Sequence, residues 1–172
     1  MKWAKQNGFT IVELLIVIVV IGILAAITIV SFNGVQSKAR QAKINADVVT
    51  IVKAITAARI VNNSNTWTIT QRYTEADCAS KPNGTDLATL SKTTDTCWTN
   101  YVATLNAISA VSGINIRGLV DPWGRPYYFN ENEGEGNVST FCAQDIVGTY
   151  SSPFVQWSSA NTTAIPYYNP AC

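Results

Sequence analysis

From Phe9 to Phe32 the chain reads F-T-I-V-E-L-L-I-V-I-V-V-I-G-I-L-A-A-I-T-I-V-S-F, 24 residues with a single charge, Glu13. A helix built from this run has no polar face, and it exceeds the about 20 apolar residues that cross a bilayer. The next stretch, V-Q-S-K-A-R-Q-A-K-I-N-A-D-V-V-T-I-V-K-A-I-T-A-A-R-I-V, continues without proline. Val35, Ala39, Ala42, Ala46, Val49, Val52 and Ile55 recur at three- and four-residue steps, while Lys38, Arg40, Lys43, Asp47 and Lys53 take much of the remaining surface. That spacing predicts an amphipathic continuation over residues 33–62, giving a helix of about 80 Å from Phe9 to Asn62. A helix packed on its own domain satisfies the same stripe.

Beyond Asn62 the pattern changes. Residues 62–92 are rich in Asn, Thr, Ser and Asp, and their one alternating run, T-W-T-I-T-Q-R-Y, predicts a short strand in a loop-rich connection. Trp98, Tyr101, Leu105, Ile108 and Val111 then fall at helical spacing and stop at Gly113, predicting a second, shorter helix. D-P-W-G-R-P-Y-Y-F at 121–129 has the residues of a type I turn, with Asp121, Pro122, Trp123 and Gly124 in the turn and Tyr127 to Phe129 opening a strand. F-V-Q-W at 154–157 and P-Y-Y at 166–168 read as strands or as aromatic packing.

Composition narrows what this pattern can serve. The 172 residues carry 12 basic and 11 acidic side chains, a net charge of +1, and a mean hydropathy of +0.11. No single-sign field exists to recruit nucleic acid, and Arg72, Lys81, Lys92, Arg117 and Arg125 are scattered rather than clustered. Histidine is absent, and with it the commonest general base and metal ligand. No nucleophile motif or phosphate-binding loop appears, so no catalytic residue is assigned and an enzyme is not expected. Nor does any cofactor motif appear.

The apolar run is longer than the 7 to 15 residues typical of a secretory signal, which favours a retained anchor over cleavage after Ala26. Basic residues flank it on both sides, so charge leaves its orientation open. Cys78, Cys97, Cys142 and Cys172 are even in number and all follow the anchor, without metal-site spacing. They point to an extracytoplasmic domain with two disulfides. Three connectivities are possible, and pairing of sequence neighbours, Cys78 with Cys97 and Cys142 with Cys172, is preferred.

A carboxylate inside a membrane segment costs about 2.5–3.5 kcal/mol at full depth, so Glu13 needs a partner or a task. Cleavage after Gly8 would create an α-amino group at Phe9, one helical turn before Glu13. K-Q-N-G-F-T-I-V-E-L-L-I-V-I-V-V-I-G-I-L-A-A-I resembles the class III signal and N-terminal helix of type IV pilins and pseudopilins. The resemblance implies that a prepilin peptidase cuts between Gly8 and Phe9 and methylates the Phe9 amine, and that Glu13 neutralises the amine of an adjacent subunit during assembly. Gly22 matches a small residue of the family's segment. Ile27 to Ser31 lack the proline many members carry there, which moves the weak point of the helix to Asn33 and Gly34.

The D-P-W-G-R-P-Y run resembles the signature of type II secretion major pseudopilins, which commonly bind calcium in a loop farther on. Glu131, Glu133, Glu135 and Asn137 follow here and could supply oxygens. They match that site poorly, and a solvated hairpin tip is the preferred reading, with no metal assigned. A Cys142–Cys172 pair instead resembles the C-terminal disulfide-bounded loop of many type IV pilins. Asn62, Asn83, Asn137 and Asn161 fit N-x-[ST] and are read as chance matches in an Asn/Thr-rich chain.

The expected fold is α+β: a long N-terminal α-helix packed on a small antiparallel β-sheet, the pilin fold. Residues 1–8 are the expected leader, 9–32 the membrane and filament-core helix, 33–62 its amphipathic continuation and 63–172 the extracytoplasmic globular domain. The expected function is a structural subunit of a type IV pilus-like filament for motility, adhesion or DNA uptake. Its expected partners are copies of itself, a prepilin peptidase, an inner-membrane assembly platform and, before assembly, membrane lipid. A type II secretion pseudopilin of a periplasmic pseudopilus is the alternative. An anchored binding protein or enzyme that never polymerises is a competing class, and it predicts no cleavage after Gly8.

Overall fold

A computed structural model describes residues 9–71, 74–133 and 143–168. Gly8, Arg72, Glu135, Asn137, Cys142 and Cys172 therefore lie outside the described residues. Helix α1 spans Ile11–Asn62, and the chain divides into a unit ending at Gln41 and a second unit, Ala42–Cys172. The first unit is helix alone. Its backbone stays helical through Asn33 and Gly34, so the expected weak point is no break in the single chain.

In the second unit α1 ends at a left-handed Asn63 (φ 49°), a conformation that asparagine tolerates better than most residues. Short helices α2 (Thr66–Thr70) and α3 (Thr74–Ala79) and a 3-10 turn (Leu87–Thr89) lead to α4 (Thr96–Ser112). Three antiparallel strands follow in the order β1-β2-β3: Tyr127–Asn130, Ile146–Tyr150 and Ser159–Ala164. Tyr128 pairs with Gly148, and the register shifts between Val147 and Thr149 against β3. Gly148 is required there: a Cβ would sit 2.8 Å from the Ala160 carbonyl oxygen and 2.9 Å from Thr162 Cα.

The core lies between α1, α4 and the sheet. Ile44, Val48, Ile51, Ile55 and Ala58 of α1 meet Trp98, Tyr101, Leu105 and Ile108 of α4 and Tyr127, Phe129 and Val147 of the sheet. This corrects the expected stripe on α1. Val35, Ala39, Ala42, Ala46 and Val49 are exposed, Val52 is half-buried, and only Ile55 is fully buried. Two apolar series share the helix, and the bulkier Ile44, Val48 and Ile51 remove more apolar surface from water than alanines do. They take the sheet, and the small-residue series is turned outward.

One further expectation fails. T-W-T-I-T is a helical turn, not a strand, because Asn65 caps it through Oδ1 at 2.8 Å from the Thr68 N–H, and Thr66 packs inside beside Arg59. F-V-Q-W and P-Y-Y lie outside the strands, and of the two forms expected Phe154 takes aromatic packing, buried 5.8 Å from the Tyr150 ring, whereas Val155 and Trp157 are exposed. The second helix ends on Gly113 and β1 begins at Tyr127, both as the spacing predicts. Among the described residues Cys78 and Cys97 form a disulfide joining α3 to the first turn of α4. Asp95 caps that turn, accepting from the Cys97 N–H at 2.9 Å, and pairs with Lys81 at 2.7 Å.

Aromatic hydroxyls close the core. Tyr101 donates to the Leu119 carbonyl and Tyr127 to Asp47 Oδ2, each at 2.6 Å. Burial pushes the phenols of Tyr101, Tyr127 and Tyr150 well above their ordinary value of 10.0. Unfolded tyrosines ionise near that value while these stay protonated, so the folded state binds more protons in alkali. Stability from this source is complete below about pH 10 and falls as pH rises further. In a spectrophotometric titration, these three of the seven tyrosines should stay silent until the domain unfolds. Their ionising near pH 10 with an intact circular dichroism spectrum would contradict the packing.

Candidate functional site

The start of α1 is built by a reciprocal cap. Thr10 donates from its N–H and from its hydroxyl to Glu13 Oε2, both at 2.8 Å, and the Glu13 N–H returns a bond to Thr10 Oγ1 at 3.2 Å. This is the T-x-x-E capping box, which satisfies donors that a helix N-terminus otherwise leaves open. The signal stood in the sequence as T-I-V-E, and reading Glu13 only against the Phe9 amine missed it. Glu13 thus has partners in its own chain before any neighbour arrives.

After the cap, Ile11–Thr28 is apolar enough and long enough to cross a membrane, and none of it is buried. Phe9 is 88% exposed, and the leucines, isoleucines and valines from Ile11 to Ile27 are about half-exposed or more. Keeping these side chains in water forgoes on the order of 20 kcal/mol of burial. Such a helix demands lipid or other helices around every face. Farther along, the outward series Val35, Ala39, Ala42, Ala46 and Val49 offers small side chains over which another helix can approach closely.

The D-P-W-G turn is structural. Asp121 Oδ1 accepts from the Trp123 and Arg125 N–H groups at 2.9 and 2.8 Å, and Oδ2 accepts from Arg125 Nε and a guanidinium nitrogen at 2.7 Å. Gly124, the fourth residue of the turn, adopts φ 81°, which a side chain would strain. Arg125 reaches the Ser151 carbonyl at 3.3 Å, tying the turn to the end of β2. Trp123 is 45% exposed and lies against the Arg125 guanidinium at 4.9 Å, instead of entering the core.

The acidic segment after β1 is not a solvated tip where it is described. Glu131 and Glu133 are buried, and Glu133 faces Arg59 at 3.5 Å. Arg59 and Asp145, 86 positions apart, form an ion pair at 2.5 Å that no sequence pattern announces. Burial pushes the Asp145 carboxyl upward, against the opposing pull of the Glu133 N–H and Arg59. Lys81 and Arg125, two of the scattered basic residues, are held by Asp95 and Asp121, and Lys92 lies over the Trp98 ring.

Residues 3–29 match the family described as the prokaryotic N-terminal methylation motif. The chain is 30% identical to the type II secretion system core protein G of Aeromonas hydrophila over 142 residues, 82% of this chain and 84% of that protein. It is 27% identical to the protein of the same name from Vibrio cholerae, over 81% of each chain. A shorter match, 36% over 59 residues, joins it to the Escherichia coli K12 protein of that name and covers 34% of this chain and 41% of the relative. No solved structure gave a significant match.

Proposed function

We propose a function from one premise: this chain belongs to the family of type II secretion system core protein G, a pilin-like family of structural filament subunits. It is a filament subunit, and the names of its relatives favour the secretion pseudopilus over the surface pilus. In this reading the chain is made with residues 1–8 as leader, and a prepilin peptidase cuts between Gly8 and Phe9 and methylates the new amine. The apolar half of α1 waits in the cytoplasmic membrane with the domain outside the cytoplasm. An assembly platform then draws it into a periplasmic filament of like subunits.

The observation that carries this is the state of α1 from Ile11 to Thr28: apolar on every side, wholly exposed, and opened by a carboxylate already held in a helix cap. Transfer from lipid into a bundle of like helices exchanges one apolar surrounding for another, so little net burial energy is lost or gained. Polar contacts such as Glu13 with a neighbour's amine then set register. The outward series on α1 supports close helix approach beyond the membrane segment.

The test is the intact mass of the protein from membrane and sheared-surface fractions, with and without reduction. The expected species begins at methylated Phe9 and gains the protons of its disulfides on reduction. A chain that retains Met1, or one cut after Ala26, would remove the filament reading. A surface pilus remains the second reading because of the spacing of Cys142 and Cys172, and filaments outside cells at native expression would select it.

A further inference from the structure

The resemblance to major pseudopilins implies calcium in a loop beyond the D-P-W-G turn, and the acidic side chains described there, Glu133 and Asp145, are already engaged. Beyond β1 an arginine takes the oxygens of those acidic side chains. Arg59 donates through Nε to Thr66 Oγ1 at 2.8 Å, through one terminal nitrogen to the Pro166 carbonyl at 2.5 Å, and through the other to Asp145 Oδ2 at 2.5 Å. Glu133 Oε2 stands 3.5 Å from the guanidinium. Arg59, Thr66, Glu133 and Asp145 are each at most 3% exposed. Two carboxylates, a carbonyl and a hydroxyl are the oxygen types a hard divalent cation collects, and here they surround a guanidinium.

Both carboxylates also accept from backbone N–H groups. Asp145 Oδ1 accepts from the Glu133 N–H at 2.6 Å, and Glu133 Oε2 accepts from the Tyr168 N–H at 2.9 Å. Among the described residues no group of three or more acidic or cysteine side chains is arranged to hold a metal. The shell joins the end of α1, the start of α2, the connection between β1 and β2, and the segment after β3. We propose that the Arg59 guanidinium is the resident cation of this oxygen shell, closing these segments on one another so that the shell needs no divalent metal. Arginine suits the task because its charge persists at any pH the protein meets and its planar fork serves several acceptors at once.

The test uses the full chain in detergent micelles. Thermal midpoints in EDTA and in excess calcium chloride should agree within about 1 °C, a shift too small for any cation-dependent site of this size. Calorimetric titration with calcium alone should give no tight binding. A midpoint that falls on chelation, or one equivalent of calcium bound, would overturn the proposal. Arg59→Gln should then lower the midpoint by about 10 °C, while Arg59→Lys, which keeps the charge, should recover part of that loss. Equal midpoints for the two variants would refute a cationic role. If neither variant folds, the comparison of the wild-type chain in EDTA and calcium still decides.

Discussion

Glu13→Ala should leave leader removal at Gly8–Phe9 intact and cut the yield of assembled filaments roughly tenfold or more, the effect of losing about 1.4 kcal/mol at each added subunit. The reason lies in what the apolar helix can and cannot contribute. From Ile11 to Thr28 it is apolar but for Glu13, so lipid and a bundle of like helices solvate the rest of it almost equally. A carboxylate in that setting is costly alone and is favoured by a cationic partner, so the few polar contacts weigh most in assembly.

Glu13→Gln separates the cap from the proposed pairing with a neighbour's amine. Glutamine can close the capping box with Thr10 as glutamate does, but it carries no charge to meet an amine. The expected result is a normally processed chain with a normal helix start and filament yield as low as for alanine. Quantifying cross-linked filament assemblies beside the intact mass of the membrane pool measures both. A glutamine variant that assembles like the wild type would assign Glu13 to the cap alone.

Asp121→Ala should cost the domain about 3–5 kcal/mol, because it leaves a buried guanidinium and two turn N–H groups without their acceptor. Asp121 is 2% exposed and accepts four bonds from the Trp123 and Arg125 backbone and the Arg125 side chain. Asp121→Asn keeps an oxygen for the two N–H groups and loses the ion pair, so its cost should be near half. Trp123→Ala, by contrast, removes a partly exposed ring that meets Arg125 from outside, and about 1 kcal/mol is expected from the lost cation–π contact. Denaturant unfolding of the three variants gives the order directly. A cost below about 1 kcal/mol for Asp121→Ala would show that the turn holds without its acid.

Several features were legible because their causes are local. The length and continuity of α1 follow from an apolar run without proline, the end of α4 from Gly113, and the turn before β1 from the D-P-W-G residues themselves. The Cys78–Cys97 pair spans 19 positions, and the intervening short elements bring its ends together. The capping box was equally local, and was missed only because Glu13 was assigned a different partner.

What stayed hidden depends on residues distant in sequence. Strand β2 carries Gly148 at its centre, and β3 is the polar S-A-N-T-T-A, so neither shows the alternation of a strand. Each exists because a neighbouring strand supplies its hydrogen bonds. The sequence by itself determined that a long helix with one charge in its apolar run precedes a small, cysteine-bearing domain, since periodicity, breakers and caps act within a few residues. Only the tertiary structure decided which face of α1 meets the sheet, that T-W-T-I-T turns helical, and that Arg59 gathers Glu133 and Asp145. Those outcomes are set by competition among surfaces for burial and by charge pairing across 86 positions, and neither leaves a mark on local spacing.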